Sequence, residues 1–415
     1  MRGIIWLVLL FVVAVVAATT LGRNDGLVSI YFGAWRTDLS LNLFVILVLA
    51  SCAVLMVAAR SVNRLLSLPE RAHEWRQLRR ERAAHAGLRE ALAEYFAARY
   101  SRAHRAALRA LVLQDETDAL KGDGEFRALV HLLAAASLHR MQDRTRRDET
   151  MRQLARLPRA VTTVRPVDEG ARLLAAEWAI DDRDAPRAIE QLAELPAGVA
   201  RRTQALRLRL LAQRLTLQPL PALQTARLLA KHQAFSPSAA QSLLRTLAGE
   251  SLDAAPDADA LRRVWSQLDP ADRRDATLAA RAATRAAAFG STEDARAWLR
   301  PFWDRLAELE PDERQRVALA LLDAVPGLPS EWLPRLEAAS LALPNDPAVA
   351  VATGTAMIER QLWGKARRPL EQAAAAGSLA APARRRAWRS LAQLARQEGD
   401  EVRAQQCERA AASVD

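Results

Sequence analysis

The sequence predicts an all-α protein: two N-terminal transmembrane helices followed by a superhelix of stacked helical hairpins. Three observations carry that reading. In 415 residues there are only 16 Gly and 5% aromatics, set among long runs of Ala, Leu and Arg that favour helix over strand. Two uncharged apolar stretches stand near the N-terminus. Beyond residue 69, small and apolar residues recur at helical spacing in paired blocks divided by turn and cap signals.

The first apolar stretch, Gly3 to Leu21, is long enough to cross a bilayer at about 1.5 Å per helical residue. A cleavable signal peptide is its rival, since Arg2 is basic and Val15-Val16-Ala17 resembles a cleavage site. The second stretch, Leu39 to Ala59, carries no charge, with Asn42 near its entrance and Ser51 and Cys52 inside. Both spans belong to a membrane anchor over 1–62, with spans at about 3–21 and 39–59 and a short loop at 22–38. Arginines crowd the exit of the second span: Arg60, Arg64, Arg71 and Arg76, then Arg79, Arg80 and Arg82, against Arg23 and Arg36 in the loop. By the positive-inside rule the large C-terminal domain faces the cytoplasm of a bacterial inner membrane, and the loop faces the periplasm. In that loop Asn24-Asp25-Gly26 is a turn signal, Leu27 to Phe32 is able to extend as a strand, and Tyr31, Phe32 and Trp35 suit the headgroup layer. An unstructured connector is the alternative.

A basic juxtamembrane helix is expected at 63–85, either lying on anionic lipid with Trp75 at the interface or continuing the second span. Degenerate helical hairpins follow over 86–325, and better-formed repeats over 330–415. Pro326-Gly327-Leu328-Pro329 is the strongest break between them.

The repeat is clearest at the C-terminus. Counting from Pro347, Gly354, Ala366 and Ala373 fall at places eight, twenty and twenty-seven; counting from Arg385, Trp388, Leu391, Ala392, Ala404 and Ala411 fall at places four, seven, eight, twenty and twenty-seven. This is the tetratricopeptide (TPR) pattern, in which small residues at eight and twenty bring two helices together and larger ones fill the space beside them. Leu362-Trp363-Gly364 and Gly399 mark the two turns. Carried back, the place-twenty phase meets Ala103, Ala188 and Ala295, with an insertion in the first gap. The intervening segments supply further pairs: Phe126 to Met141 with Arg146 to Leu157, Arg201 to Leu215 with Pro221 to His232, and Pro237 to Leu247 with Asp257 to Leu268. Asp or Ser beside Pro at Asp184, Ser236, Asp269 and Asp346 marks helix starts.

The formal charge of +11 rests on arginine, since only Lys121, Lys231 and Lys365 are lysines. No basic face is interleaved with aromatics, so no nucleic-acid partner is expected, and the arginines read as solvated helix surface. Cys52 and Cys407 make no disulfide framework. No GxGxxG, P-loop, nucleophile elbow, HExxH or CxxC is present, and none of the six histidines stands at metal-ligand spacing. No catalytic residue, cofactor or metal is expected, and the chain is not read as an enzyme. What remains is a surface for protein partners: in the last repeat Arg386, Arg389, Gln393 and Arg396 occupy the groove-facing places. They are suited to clamp an acidic or C-terminal carboxylate segment, against the alternative of ordinary solvated arginines. The close packing of alanine-rich helices leaves a homo-oligomer open.

The whole layout resembles the HemY family of proteobacterial inner-membrane proteins. The resemblance rests on the two spans, the loop with Asn24 to Val28, Ser40-Leu41 leading into the second span, the basic exit at Arg60 to Arg64, and the close on Leu362-Trp363-Gly364-Lys365-Ala366. It implies a scaffold acting in a late step of haem (protoporphyrin, tetrapyrrole) biosynthesis, with haem-biosynthesis enzymes as partners and the lipid bilayer as support. It implies no catalytic residue. Two rivals stand beside it: a general envelope-assembly or quality-control adaptor, and a tetrapyrrole carrier binding through His131 and His139.

Overall fold

The computed structural model describes residues 26–33, 35–66, 68–157 and 166–414, so the first predicted span, 3–21, and the start of the loop lie outside the described residues. The chain divides into two compact units, 1–163 and 164–415.

The first unit opens with a two-stranded antiparallel hairpin, β1 (Leu27–Phe32) and β2 (Trp35–Ser40), in register from Leu27↔Ser40 to Phe32↔Trp35. Among the described residues this hairpin is the exception to helix, and it takes up most of the predicted loop. Helix α1 (Leu41–Leu66) follows with no linker. The Leu41 amide donates to the Gly26 carbonyl at 2.9 Å, and the Ser40 hydroxyl caps the helix by accepting from the Leu43 amide at 3.3 Å. Leu41–Ser61, with a mean hydropathy of 2.7, is the one stretch among the described residues long and apolar enough to cross a membrane. It starts two residues later than expected because Leu39 and Ser40 complete β2. The predicted juxtamembrane helix is not an element of its own: α1 runs to Leu66 and α2 (Leu68–Phe96) covers the rest.

Helix α2 pairs with α3 (Tyr100–Asp115); after a single turn, α4 (Asp118–Lys121), α5 (Gly124–Arg140) pairs with α6 (Arg144–Ala155). Their core is largely alanine, with Ala84, Ala91, Ala106, Ala107 and Ala110 at 0% exposure around Phe126 and Val130. Methyl-sized side chains at i, i+3, i+4 and i+7 bring the helix axes close, and Phe126 and Val130, together with Leu120 and Leu133, fill the remaining gap.

The second unit contains α7 (Pro166–Asp181), α8 (Ala185–Ala193), α9 (Ala197–Ala200), α10 (Thr203–Leu215), α11 (Pro219–Lys231), α12 (Pro237–Asp253), α13 (Ala258–Gln267), α14 (Pro270–Arg273), α15 (Ala276–Ala288), α16 (Thr292–Trp303), α17 (Pro311–Asp323), α18 (Leu333–Ala342), α19 (Pro347–Glu359), α20 (Trp363–Ala375), α21 (Ala381–Gln397) and α22 (Glu401–Ala412). Neighbours along the chain pack as hairpins, and successive hairpins stack in a solenoid-like order, α15 on α17, α17 on α19, α19 on α21. Ala103, Ala188, Ala295, Ala366 and Ala404, the residues that carried the repeat phase, are all buried at 0 to 1% exposure, each in the second helix of its pair. The break at Pro326 to Pro329 divides nothing: Val325, Leu328 and Trp332 belong to one apolar core that runs from Leu206 to Cys407.

One turn recurs through both units. Ala98, Gln142, Arg183, Leu217, Gln361, Gly290 and Gly399 sit at φ between 53° and 80° in three-residue links between paired helices. In each link the next amide donates back to a carbonyl five residues earlier, as in Asp143 to Leu138, Asp184 to Ala179, Leu362 to Met357 and Asp400 to Ala395, at 2.7 to 3.0 Å. This is the Schellman closure, which satisfies carbonyls that a helix end leaves open. The expected Leu362-Trp363-Gly364 turn is therefore displaced: Gln361 takes the left-handed conformation, and Trp363 and Gly364 begin α20.

The arginines are not merely solvated. Ion pairs join residues about one repeat apart: Arg202 with Glu169, Arg262 with Asp294, Arg335 with Asp304 and Arg403 with Glu371, at 2.6 to 2.9 Å and sequence separations of 31 to 33 residues. Arg314 and Asp346, 2.9 Å apart, make the same link with both side chains under 20% exposed. Arg296 instead donates to the backbone carbonyls of Ala324 and Pro326 at 2.8 and 2.9 Å. A fork of donors on a long stem reaches the neighbouring hairpin from the seam, which a point-charge lysine does less well.

Candidate partner-binding surface

The C-terminal hairpins place the repeat residues where close packing needs them. Gly354, on α19, faces Leu370 and Ala366 on α20: a Cβ built on it would lie 2.6 Å from Leu370 Cγ, 2.9 Å from its Cδ2 and 3.3 Å from the Ala366 carbonyl oxygen. Ala366, Ala373, Leu391 and Ala404 are buried, and Trp388 is half-buried against the same core. Helix α19 is enclosed almost all round, with Val349, Val351, Ala352 and Ala356 at 0% exposure.

That enclosure alters the expected groove. Because α19 presents mostly small side chains, α17 and α21 come close enough for a side chain to reach across it. Arg386 on α21 donates through Nη1 to Asp323 Oδ1 at 3.0 Å and through Nη2 to the Leu322 carbonyl at 2.7 Å. Both acceptors lie at the C-terminal end of α17, where open carbonyls and the helix dipole favour a cation. Burial pushes the Asp323 carboxyl above its ordinary value, opposed by the charge and hydrogen bond of Arg386. Arg396 is paired with Glu408 on α22.

Of the four predicted groove residues, then, Arg386 and Arg396 already have partners within the chain, and Arg389 and Gln393 are exposed. Arg385 joins them, one helical turn before Arg389, and neither arginine has a carboxylate within ion-pair distance among the described residues. The exposed stripe is Arg385, Arg389 and Gln393. An i, i+4, i+8 count along α21 was the signal that would have found Arg385. Of the arginines expected to orient the span, Arg60 is exposed toward the C-terminal end of α1 and Arg76 is exposed on α2, while the side chains of Arg64 and Arg71 lie outside the described residues.

In the first unit His131 and His139 share α5 but stand eight residues, about 12 Å, apart along its axis. His139 is buried, and its Nδ1 accepts from Arg147 Nη1 at 3.0 Å; Arg147 is 3% exposed and also pairs with Asp148. Burial lowers the pKa of His131, with the Arg127 charge adding to the effect. The two imidazoles are not brought together. Among the described residues no group of three or more His, Cys, Asp or Glu is placed to hold a metal ion. A cleft of about 620 Å³ beside Trp303 and Arg335 is a repeat seam rather than a chemical site, since Trp303 Nε1 donates to the Arg335 carbonyl and Arg335 to Asp304.

An apolar span joined to stacked α-hairpins defines a membrane-anchored helical-repeat protein. Residues 26–142 match the model of the HemY protein N-terminus, and this match, over the strand hairpin, the apolar span, the α2–α3 pair and α5, supports membership of the HemY family. No curated protein matches the chain. Among solved structures, a chain of Naa15/Naa10 bound to HypK-THB is similar at 13% identity and a TM-score of 0.25, over 78% of this chain. The alignment spans little more than half of that chain's own length, 57%.

Proposed function

We propose that this protein is a membrane-tethered TPR scaffold that gathers haem-biosynthesis enzymes beside the bilayer and takes no catalytic part itself. The observation that carries the reading is the HemY N-terminal match, because it coincides with the apolar span and the first helical hairpin rather than with an isolated helix. In this reading the anchor crosses the membrane twice and the solenoid lies in the cytoplasm, in keeping with the arginines after the span. Late porphyrin intermediates are poorly soluble in water, so holding successive enzymes at one surface raises their local concentration without strong mutual affinity. Arg385, Arg389 and Gln393 offer donors to an acidic segment of a client, and Arg386 serves the fold instead.

The test is to crosslink native membranes, purify the tagged full-length chain and identify its companions, while measuring porphyrins in cells lacking it. Porphyrin- or haem-forming enzymes should be recovered, porphyrin intermediates should accumulate without the protein, and Arg385→Glu/Arg389→Glu should reduce recovery. Flat porphyrin levels with recovery of envelope-assembly proteins alone would overturn the proposal in favour of a general envelope adaptor.

A further inference from the structure

The hairpin β1–β2 is two-faced. Because side chains alternate along a strand, its register puts Val28, Ile30, Phe32, Trp35, Thr37 and Leu39 on one face and Leu27, Ser29, Tyr31, Arg36, Asp38 and Ser40 on the other. The second face is closed on itself: Ser29 donates to Asp38, Arg36 Nε lies 3.1 Å from Asp38 Oδ1, and the Arg36 guanidinium stands 5.7 Å from the centre of the Tyr31 ring. The first face is bare at its tip, with Phe32 85% and Trp35 81% exposed. A two-stranded hairpin is marginal in water unless a surface covers its apolar side.

The root of the hairpin says which surface that is. No residue separates β2 from α1, both strands touch α1, and the Leu41 amide is bound to the Gly26 carbonyl at 2.9 Å. The hairpin, about 20 Å long at roughly 3.3 Å per residue, thus starts where the apolar helix starts. We propose that it lies in the interfacial layer of the leaflet at which α1 begins, with the Ile30, Phe32 and Trp35 face in lipid and the Ser29, Arg36 and Asp38 face toward water. Aromatic rings prefer this layer, and the unpaired strand edges still find water and headgroup partners there. A protein partner is the competing occupant, but rooting the hairpin at the end of the span puts lipid beside its apolar face first.

The inference rests on the anchoring part of the proposed function, and one experiment separates the two. Nitroxide labels are placed at Ile30→Cys, Tyr31→Cys, Phe32→Cys and Leu55→Cys in the full chain carrying Cys52→Ser and Cys407→Ser, in vesicles of phosphatidylethanolamine and phosphatidylglycerol. Collisions with oxygen and with a water-soluble nickel chelate are compared. Labels at 30 and 32 should favour oxygen, the label at 31 should favour nickel, and the label at 55 should favour oxygen strongly. Nickel access at all three hairpin positions, or shielding of 30 and 32 from both reagents, overturns the proposal while leaving the span intact. Nickel access at position 55 removes the anchoring as well. A second readout keeps the native hairpin side chains: brominated lipid should quench a component of tryptophan fluorescence that Trp35→Phe removes. An unchanged quenchable fraction counts against lipid contact.

Discussion

Replacing Gly354 with alanine should change sign with its neighbour. In the native chain the new Cβ would sit 2.6 and 2.9 Å from carbons of Leu370, a side chain at 0% exposure with no space to retreat into. Overpacking of this kind costs about 1–3 kcal/mol, while alanine in a helix interior gains about 0.8–1 kcal/mol over glycine. The net is a loss of about 0–2 kcal/mol. In a Leu370→Ala background, itself about 2–5 kcal/mol less stable, the clash disappears and only the 3.3 Å approach to the Ala366 carbonyl remains. Gly354→Ala should then stabilise by about 0.5 kcal/mol, part of the propensity gain, giving a coupling of about 0.5–2.5 kcal/mol between the two positions. Amide hydrogen exchange across α19 and α20 in the detergent-solubilised full chain reads this directly. A loss of 1.4 kcal/mol appears as about tenfold faster exchange through local opening. Equal destabilisation in both backgrounds would refute the contact of Gly354 with Leu370 as the reason for glycine here, and so would a gain in the native one.

Gln361→Gly should stabilise the α19–α20 pair by about 0.5–1 kcal/mol, because Gln361 holds φ 60° where a side chain is strained, and slower amide exchange in the two helices would show it. Arg386→Ala should cost about 1 kcal/mol, discounted for a side chain 36% exposed, whereas Arg389→Ala should leave stability unchanged and weaken only client recovery; paired melting curves and crosslinking yields separate the two roles. Acid should weaken the first unit. Burial holds the pKa of His104 and His131 below their ordinary 6.5, with Arg146 and Arg127 contributing, so between pH 6.5 and the lowered values the unfolded chain binds more protons than the folded one. Stability should therefore fall as pH drops below about 6.5, and a shallower fall in His104→Gln/His131→Gln, followed by exchange of α3 and α5 amides, checks the assignment.

Much of the helical layout can be read directly from residue spacing. Pro347 to Ala411 announces two hairpins through Gly354, Ala366 and Ala404, since a close helix approach tolerates only small residues and the need repeats with the geometry. Caps were equally plain at Asp184, Ser236 and Asp346, each accepting from an amide two or three residues on, whereas Asp269 starts its helix without a side-chain cap hydrogen bond. The turns were less so. Where Gly290 and Gly399 take the left-handed position the link is visible, but Ala98, Gln142, Arg183, Leu217 and Gln361 take the same position without a compositional mark, because the Schellman hydrogen bonds hold them there.

By itself, the sequence determined a chain of α-hairpins with an apolar span, because helical periodicity and hydropathy are local properties written at fixed spacing. Tertiary structure alone decided which arginines are free. Arg386, Arg389 and Arg396 look alike along α21, yet Arg386 reaches Asp323 across an alanine-rich α19, Arg396 meets Glu408, and Arg389 meets no carboxylate among the described residues. Partners 12 and 63 residues away are matters of how hairpins stack, and the distance between stacked helices depends on side-chain volumes summed over a whole face.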